Sequence, residues 1–121
     1  MDRSSAKRAI ATLARDGKLA LTQHAKDRAP EKGKYPLTLE QIRNCLIHGN
    51  IIEGPAPDLL ARGHKDAWKF TVERLKAAER HIVAGVLIVE TRILVITGFE
   101  WSKPVRRNPP LKSNDYDEDD S

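Results

Sequence analysis

Apolar positions along this chain change their period part-way. In the first half they recur every three or four residues, and from Trp68 onward they alternate or run together. Residues 5–16, "SAKRAIATLARD", put Ile10 and Leu13 with Ala9 on one narrow stripe; Ser4 or Ser5 is suited to cap this helix and Gly17 to end it. "KLALT" predicts a short extended piece with Leu19 and Leu21 on one side. Thr22 is then a suitable N-cap for a short helix from Gln23 to about Ala29, closed by Pro30 and Gly33. In "TLEQIRNCLIHG", Thr38 is followed three residues on by Gln41, the pattern of a capping box. Leu39, Ile42, Cys45 and Leu46 follow at helical spacing, and Gly49 stops the helix.

Strands follow. "NIIEG" reads as a short one broken by Gly54, Pro55 and Pro57, and "DLLARGHKD" as a loop. "WKFTVE" places Trp68, Phe70 and Val72 on one face and Lys69, Thr71 and Glu73 on the other, the alternation of a half-solvated strand. "LKAAER" is a turn or, by propensity, a helical turn. "HIVAGVLIVE" and "RILVITGFEW" are apolar at both parities and predict central strands joined tightly through Thr91 and Arg92. Helices first and then a meander of about four antiparallel strands make an α+β domain. The expected division is an N-terminal helix in 1–18, an α+β domain over 19–101 and a tail over 102–121. The tail has three prolines, a basic first half and an acidic second half, and too little apolar surface to order itself.

At 121 residues the chain is one domain by length, with roughly 100 residues to build a core. It has no apolar run near the roughly 20 residues of a membrane span, and charges interrupt its N-terminus too often for a secretory signal. A single cysteine, Cys45, leaves no internal disulfide and no cysteine metal cluster. These features predict a cytoplasmic protein with no membrane partner. Charge sharpens the picture. Lys and Arg number 21 and Asp and Glu 17, but five of the acids (Asp115, Asp117, Glu118, Asp119, Asp120) stand together at the C-terminus. Without them the balance is 21 against 12, an excess of nine positive charges on the body. A basic body of this kind points to a polyanion, with RNA the expected partner.

Within "LTQHAKDRAPEKG", His24 and Arg28 are four apart on a predicted helix and so share a face. Cleavage of RNA by its own 2′-hydroxyl needs a base, a cation for the phosphorane and an acid for the leaving oxygen. Histidine titrates near neutrality and arginine forks onto phosphate oxygens, so the pair could supply this without a metal. Equally, His24 could pack on the sheet while Arg28 pairs with a surface acid. His48, in the last turn of the capped helix, suits the helix dipole. His64 lies in a loop between Arg62 and Lys65. His81 starts a buried strand beside Arg80, where a satisfied edge histidine and a site residue are both open readings. Trp101 ends the last strand, either packing on the core edge or offering a face for base stacking. Cys45 faces the core and is no nucleophile. No histidine pair has metal-ligand spacing supported by a carboxylate, so neither a metal nor another cofactor is expected.

"LTQHAKDR", a capped helix ending in "HGNIIEG" and a meander closing on "LVITGF" together resemble the bacterial family called domain of unknown function 4258. The resemblance covers about Leu21 to Phe99. It is carried by His24 and Arg28, by Gly49 through Glu53, and by Ile96 and Thr97 followed by Phe99. Many of that family's members have a second arginine soon after the first, where this chain has Lys32 and Lys34. The resemblance implies a RelE-like fold, N-terminal helices packed on a curled antiparallel sheet of about four strands, and a relation to toxin ribonucleases. It therefore implies a metal-independent RNA-cleaving or RNA-binding domain, with His24, Arg28, Arg80 and His81 as catalytic candidates. Lys26, Lys32, Lys34, Arg62, His64, Lys65 and Lys69 are the nucleic-acid-binding candidates, and an antitoxin or other protein is a candidate partner. The alternative is a non-catalytic nucleic-acid or protein-binding module of the same fold. Thin aromatic content around the site favours that alternative, since Tyr35 is expected in a loop and Tyr116 in the tail.

Overall fold

The computed structural model describes residues 1–26, 34–58 and 66–101, with His24 and Lys34 described by backbone alone. Its elements run α1 (Arg3–Arg15), β1 (Leu19–Leu21), α2 (Gln23–Lys26), β2 (Lys34–Pro36), α3 (Leu39–His48), β3 (Asn50–Pro57), β4 (Ala67–Lys76), β5 (Glu79–Ile88) and β6 (Arg92–Trp101). The chain is α+β. Among the described residues no helix is long and apolar enough to cross a membrane.

Helix α1 begins two residues earlier than the serines suggest. Asp2 is the cap, its carboxylate accepting the Ser5 N–H at 2.7 Å. A carboxylate there also meets the positive end of the helix dipole, an advantage a serine lacks. Gly17, with φ 74°, takes the left-handed turn after the helix. The carbonyls of Ala14 and Arg15 accept from the Arg43 guanidinium at 2.9 and 3.1 Å, which ties the end of α1 to α3. Helix α3 has the predicted capping box, with Gln41 N–H to Thr38 Oγ1 at 3.1 Å and Thr38 N–H to Gln41 Oε1 at 2.9 Å. Its Ile42, Cys45 and Leu46 are buried, while Leu39 in the first turn is exposed. Gly49 ends α3 for a reason other than left-handed geometry. A Cβ there would come within 2.6 Å of the Cys45 and Glu73 carbonyl oxygens and of Val72 Cγ1, so only glycine lets α3 and β4 approach this closely.

The sheet is mixed and six-stranded, in the order β1-β6-β5-β4-β3, and β2 also pairs with β6. Strands β3 to β6 form the predicted antiparallel meander. The expected count of about four is exceeded by two short strands. β1 runs parallel to β6 from Leu19↔Ile93 to Leu21↔Val95, and β2 runs antiparallel to it from Lys34↔Trp101 to Pro36↔Phe99. β1 is the short extended piece that "KLALT" predicts, whereas the three residues of β2 carry too little alternation to announce a strand, and Tyr35 lies in β2 and not in a loop. β3 also passes through the expected break at Gly54, Pro55 and Pro57, with register shifts between Ile51, Glu53 and Ala56. Among the described residues it pairs with β4 alone, and proline is tolerated on an edge strand because its missing N–H leaves no partner unmet. Arg3 reaches this irregular stretch, donating to the Gly54, Ile51 and Ile52 carbonyls at 2.8, 3.3 and 3.5 Å. "LKAAER" is a tight hairpin turning at Ala77 and Ala78, neither helical nor wide.

Both faces of the central strands are apolar, as their composition predicts. On one, Phe70, Val72, Val83, Leu87, Ile93 and Val95 pack with α1 and α3 in the main core. On the other, Val86, Ile88 and Ala67 form a smaller cluster with Leu94 and Ile96. Cross-strand register assigns the β5 and β6 side chains to the helix-covered side or to the side turned away from α1 and α3. A shift between Ala84 and Gly85 switches the parity of β6, so Ile93 and Val95 face the helices before it, and Gly98 and Glu100, partners of Val83 and His81, after it.

Candidate functional site

The ends of β4, β5, β6 and β2 meet at one corner of the sheet, and the two faces of that corner differ. On the side turned away from α1 and α3, Arg80 of β5 stands directly across from Trp101 of β6. Its guanidinium carbon is 5.9 Å from the centroid of the indole, within cation–π range. Glu73 of β4 shares this side and forms an ion pair with Arg80 Nε. Phe99, two residues before Trp101, lies with its ring centroid 6.1 Å away at 48°. Trp101 keeps 38 % of its surface exposed, so packing and presentation are both true of it.

The opposite side of the corner belongs to His81. It is 3 % exposed, and its Nε2 is 2.9 Å from Glu79 Oε1. Its Nδ1 is buried without a hydrogen-bond partner. The Cys45 thiol donates weakly to the His81 carbonyl at 3.6 Å and to the Val72 carbonyl at 3.8 Å. Burial pushes that thiol up to about 12, against a weaker opposing pull from Arg74, which leaves it inert as a nucleophile. Neighbours on a strand point to opposite faces, so Arg80 and His81 cannot meet one phosphate together. A buried, carboxylate-bound His81 is also poorly placed to take a proton from a large substrate.

Comparison with protein-family models, curated proteins and solved structures returned no match. The site therefore stands on its own geometry.

Of the remaining catalytic candidates, His24 lies in α2, and Arg28 lies outside the described residues. The expected cap is present, with the Ala25 N–H donating to Thr22 Oγ1 at 3.2 Å. Thr22 also bonds to the carbonyls of Val95 and Ile96, which anchors the start of α2 to the outer side of β6. That anchor is five or six residues from Trp101, roughly 15–20 Å along the strand. Among the binding candidates, Lys26 and Lys69 are exposed. Lys69 is six residues from the Arg80 row, about 20 Å at strand rise. Lys34 pairs with Trp101 in register. Lys32, Arg62, His64 and Lys65 lie outside the described residues, as does the tail over 102–121. His48 is exposed at the C-terminal turn of α3, as its spacing predicts.

Sequence reasoning missed three residues at this corner. Glu73 is read there only as part of a wet strand face, yet it holds Arg80. Glu79 and Glu100 go unremarked, although Glu79, His81 and Glu100 each offer a ligand atom within 4.8 Å of the others. The signal was present in "ERH": two residues apart on a strand means one face, whereas a helix-minded search looks at offsets of three and four.

Proposed function

We propose that this chain is an RNA-binding domain of RelE-like arrangement whose contact centres on Trp101 and Arg80. The reading is carried by one observation, a partly exposed tryptophan with a guanidinium over its ring, on the sheet face turned away from the main helices. Unstacked bases in single-stranded RNA bind aromatic and guanidinium planes in this way. Glu73 neutralises Arg80 locally and holds it in place, so stacking is the interaction this corner offers. Attraction to phosphates then comes from the body's excess of positive charge. Helices on one face of an antiparallel meander support the RelE-like arrangement, and a toxin's protein partner remains part of that reading. Cleavage rests on His24 and Arg28 alone, since His81 faces the other way and is buried.

The test uses the fluorescence of Trp101 against that of the more buried Trp68. Single-stranded RNA should quench the wild-type protein and the Trp68→Phe variant alike. It should leave Trp101→Phe unquenched while still binding it, because phenylalanine stacks. Trp101→Ala and Arg80→Ala should each weaken binding about tenfold, in line with roughly 1–3 kcal/mol per stacked base. Unchanged affinity in Trp101→Ala would move the contact elsewhere. Incubation of the same RNA with wild type and His24→Ala, read for 2′,3′-cyclic phosphate ends, tests cleavage separately.

A further inference from the structure

The geometry points to a divalent transition-metal site formed by Glu79, His81 and Glu100, on the helix side of the sheet corner and separate from the RNA contact. The proposal does not depend on RNA binding. Two features of strand geometry bring the three together. Glu79 and His81 are two apart on β5, and Glu100 is the cross-strand partner of His81 on β6. All three therefore project to the same face, with their ligand atoms within 4.8 Å of one another. A metal that holds nitrogen and oxygen at 2.0–2.2 Å separates them by about 3 Å at right angles and about 3.4 Å at the tetrahedral angle of zinc. The 2.9 Å between His81 Nε2 and Glu79 Oε1 lies near the lower end of that range. The Glu79 side chain is 48 % exposed and so free to adjust toward an ion.

A second observation comes from His81 itself. The ring is 3 % exposed, so packing fixes it with Nε2 turned to the Glu79 carboxylate, and the unpartnered Nδ1 stands outside the ligand set. The mixed nitrogen and oxygen donors suit zinc or manganese rather than the all-oxygen preference of calcium or magnesium. Three protein ligands leave at least one position for water. The charged groups around the site oppose one another. Arg74 and Lys76 of β4 are the register partners of His81 and Glu79, and Tyr35 of β2 is that of Glu100. The two carboxylates must outweigh the two nearby cations, which predicts moderate rather than tight affinity.

The experiment is a calorimetric titration of the full chain with Zn2+, and in parallel with Mn2+, alongside thermal melts. One saturable equivalent is expected, with Zn2+ tighter than Mn2+ and with a melting temperature that rises with added Zn2+. His24, His48, His64 and the C-terminal acids can also take up metal, so the assignment rests on variants. Glu79→Gln and Glu100→Gln preserve shape and lie toward solvent. Each should keep the melt of the metal-free protein close to wild type and weaken Zn2+ at least tenfold. His81→Asn should do the same for metal, but its burial makes the two glutamine variants the deciding ones. The proposal is overturned by a wild-type protein with no saturable site, or by wild-type affinity in either glutamine variant.

Discussion

Cys45 lies between α3 and the sheet, with its thiol directed at the carbonyls of Val72 and His81. Its pKa of about 12 is raised by burial, so the thiolate is scarce at any pH the fold is expected to meet. An aromatic disulfide reagent at pH 8 should label the native protein no faster than the protein opens. Labelling should become stoichiometric in denaturant. Rapid labelling of the native state would mean that α3 does not cover the sheet as described. At this scale the sequence is legible for Cys45, whose helical stripe places it inward. It is less so for Arg80 and His81. Their adjacency in sequence suggests partnership, while strand pleating sends them to opposite faces, one to an indole and the other to Glu79.

Among the elements, legibility follows length. β4, β5 and β6 each run ten residues, enough for alternation to show, and each matches its predicted span to within a few residues. β1 and β2 have three residues each; the extension of β1 is legible in "KLALT", but the pairing of both with the outer side of β6 is a tertiary fact with no local trace. β3 hides behind prolines that would break a central strand but not an edge. The junction of α3 and β3 offers the sharpest test of the packing. Gly49→Ala places a methyl group 2.6 Å from two backbone oxygens, neither of which can rotate away. We expect a loss of about 2–3 kcal/mol or more, at the upper end for overpacking. Thr38→Ala at the other end of the same helix should cost about 1 kcal/mol, the usual effect of losing a cap. Chemical denaturation of both variants checks the ranking. A Gly49→Ala protein as stable as Thr38→Ala would show that the helix and β4 are farther apart.

For the whole molecule, charge matters more than any single contact. Its excess of nine positive charges over residues 1–112, balanced in part by five acids in the last nine, predicts RNA affinity that falls tenfold or more between about 50 and 200 mM salt. Removing everything after Lys112 should tighten binding at low salt, with the difference shrinking as salt rises, if the acidic run competes with phosphates for the body. Equal affinity of full-length and truncated chains at low salt would leave the acidic run without a part in binding. The charge division is fully legible in sequence. The arrangement of the basic groups is not. Arg3 and Arg43 satisfy backbone carbonyls, and Lys69 lies about 20 Å along the strands from Arg80.

Arg3 also bears on how copies of this chain meet. Three carbonyls of β3 are taken by one guanidinium, and Pro55 and Pro57 present no N–H. An incoming strand would find few acceptors there and fewer donors. The far side of β6 is already shared between β1 and β2. The β3 edge is therefore poorly suited to self-assembly by strand addition, the common route to fibrous aggregates. Recognition along that edge is thereby confined to its side chains.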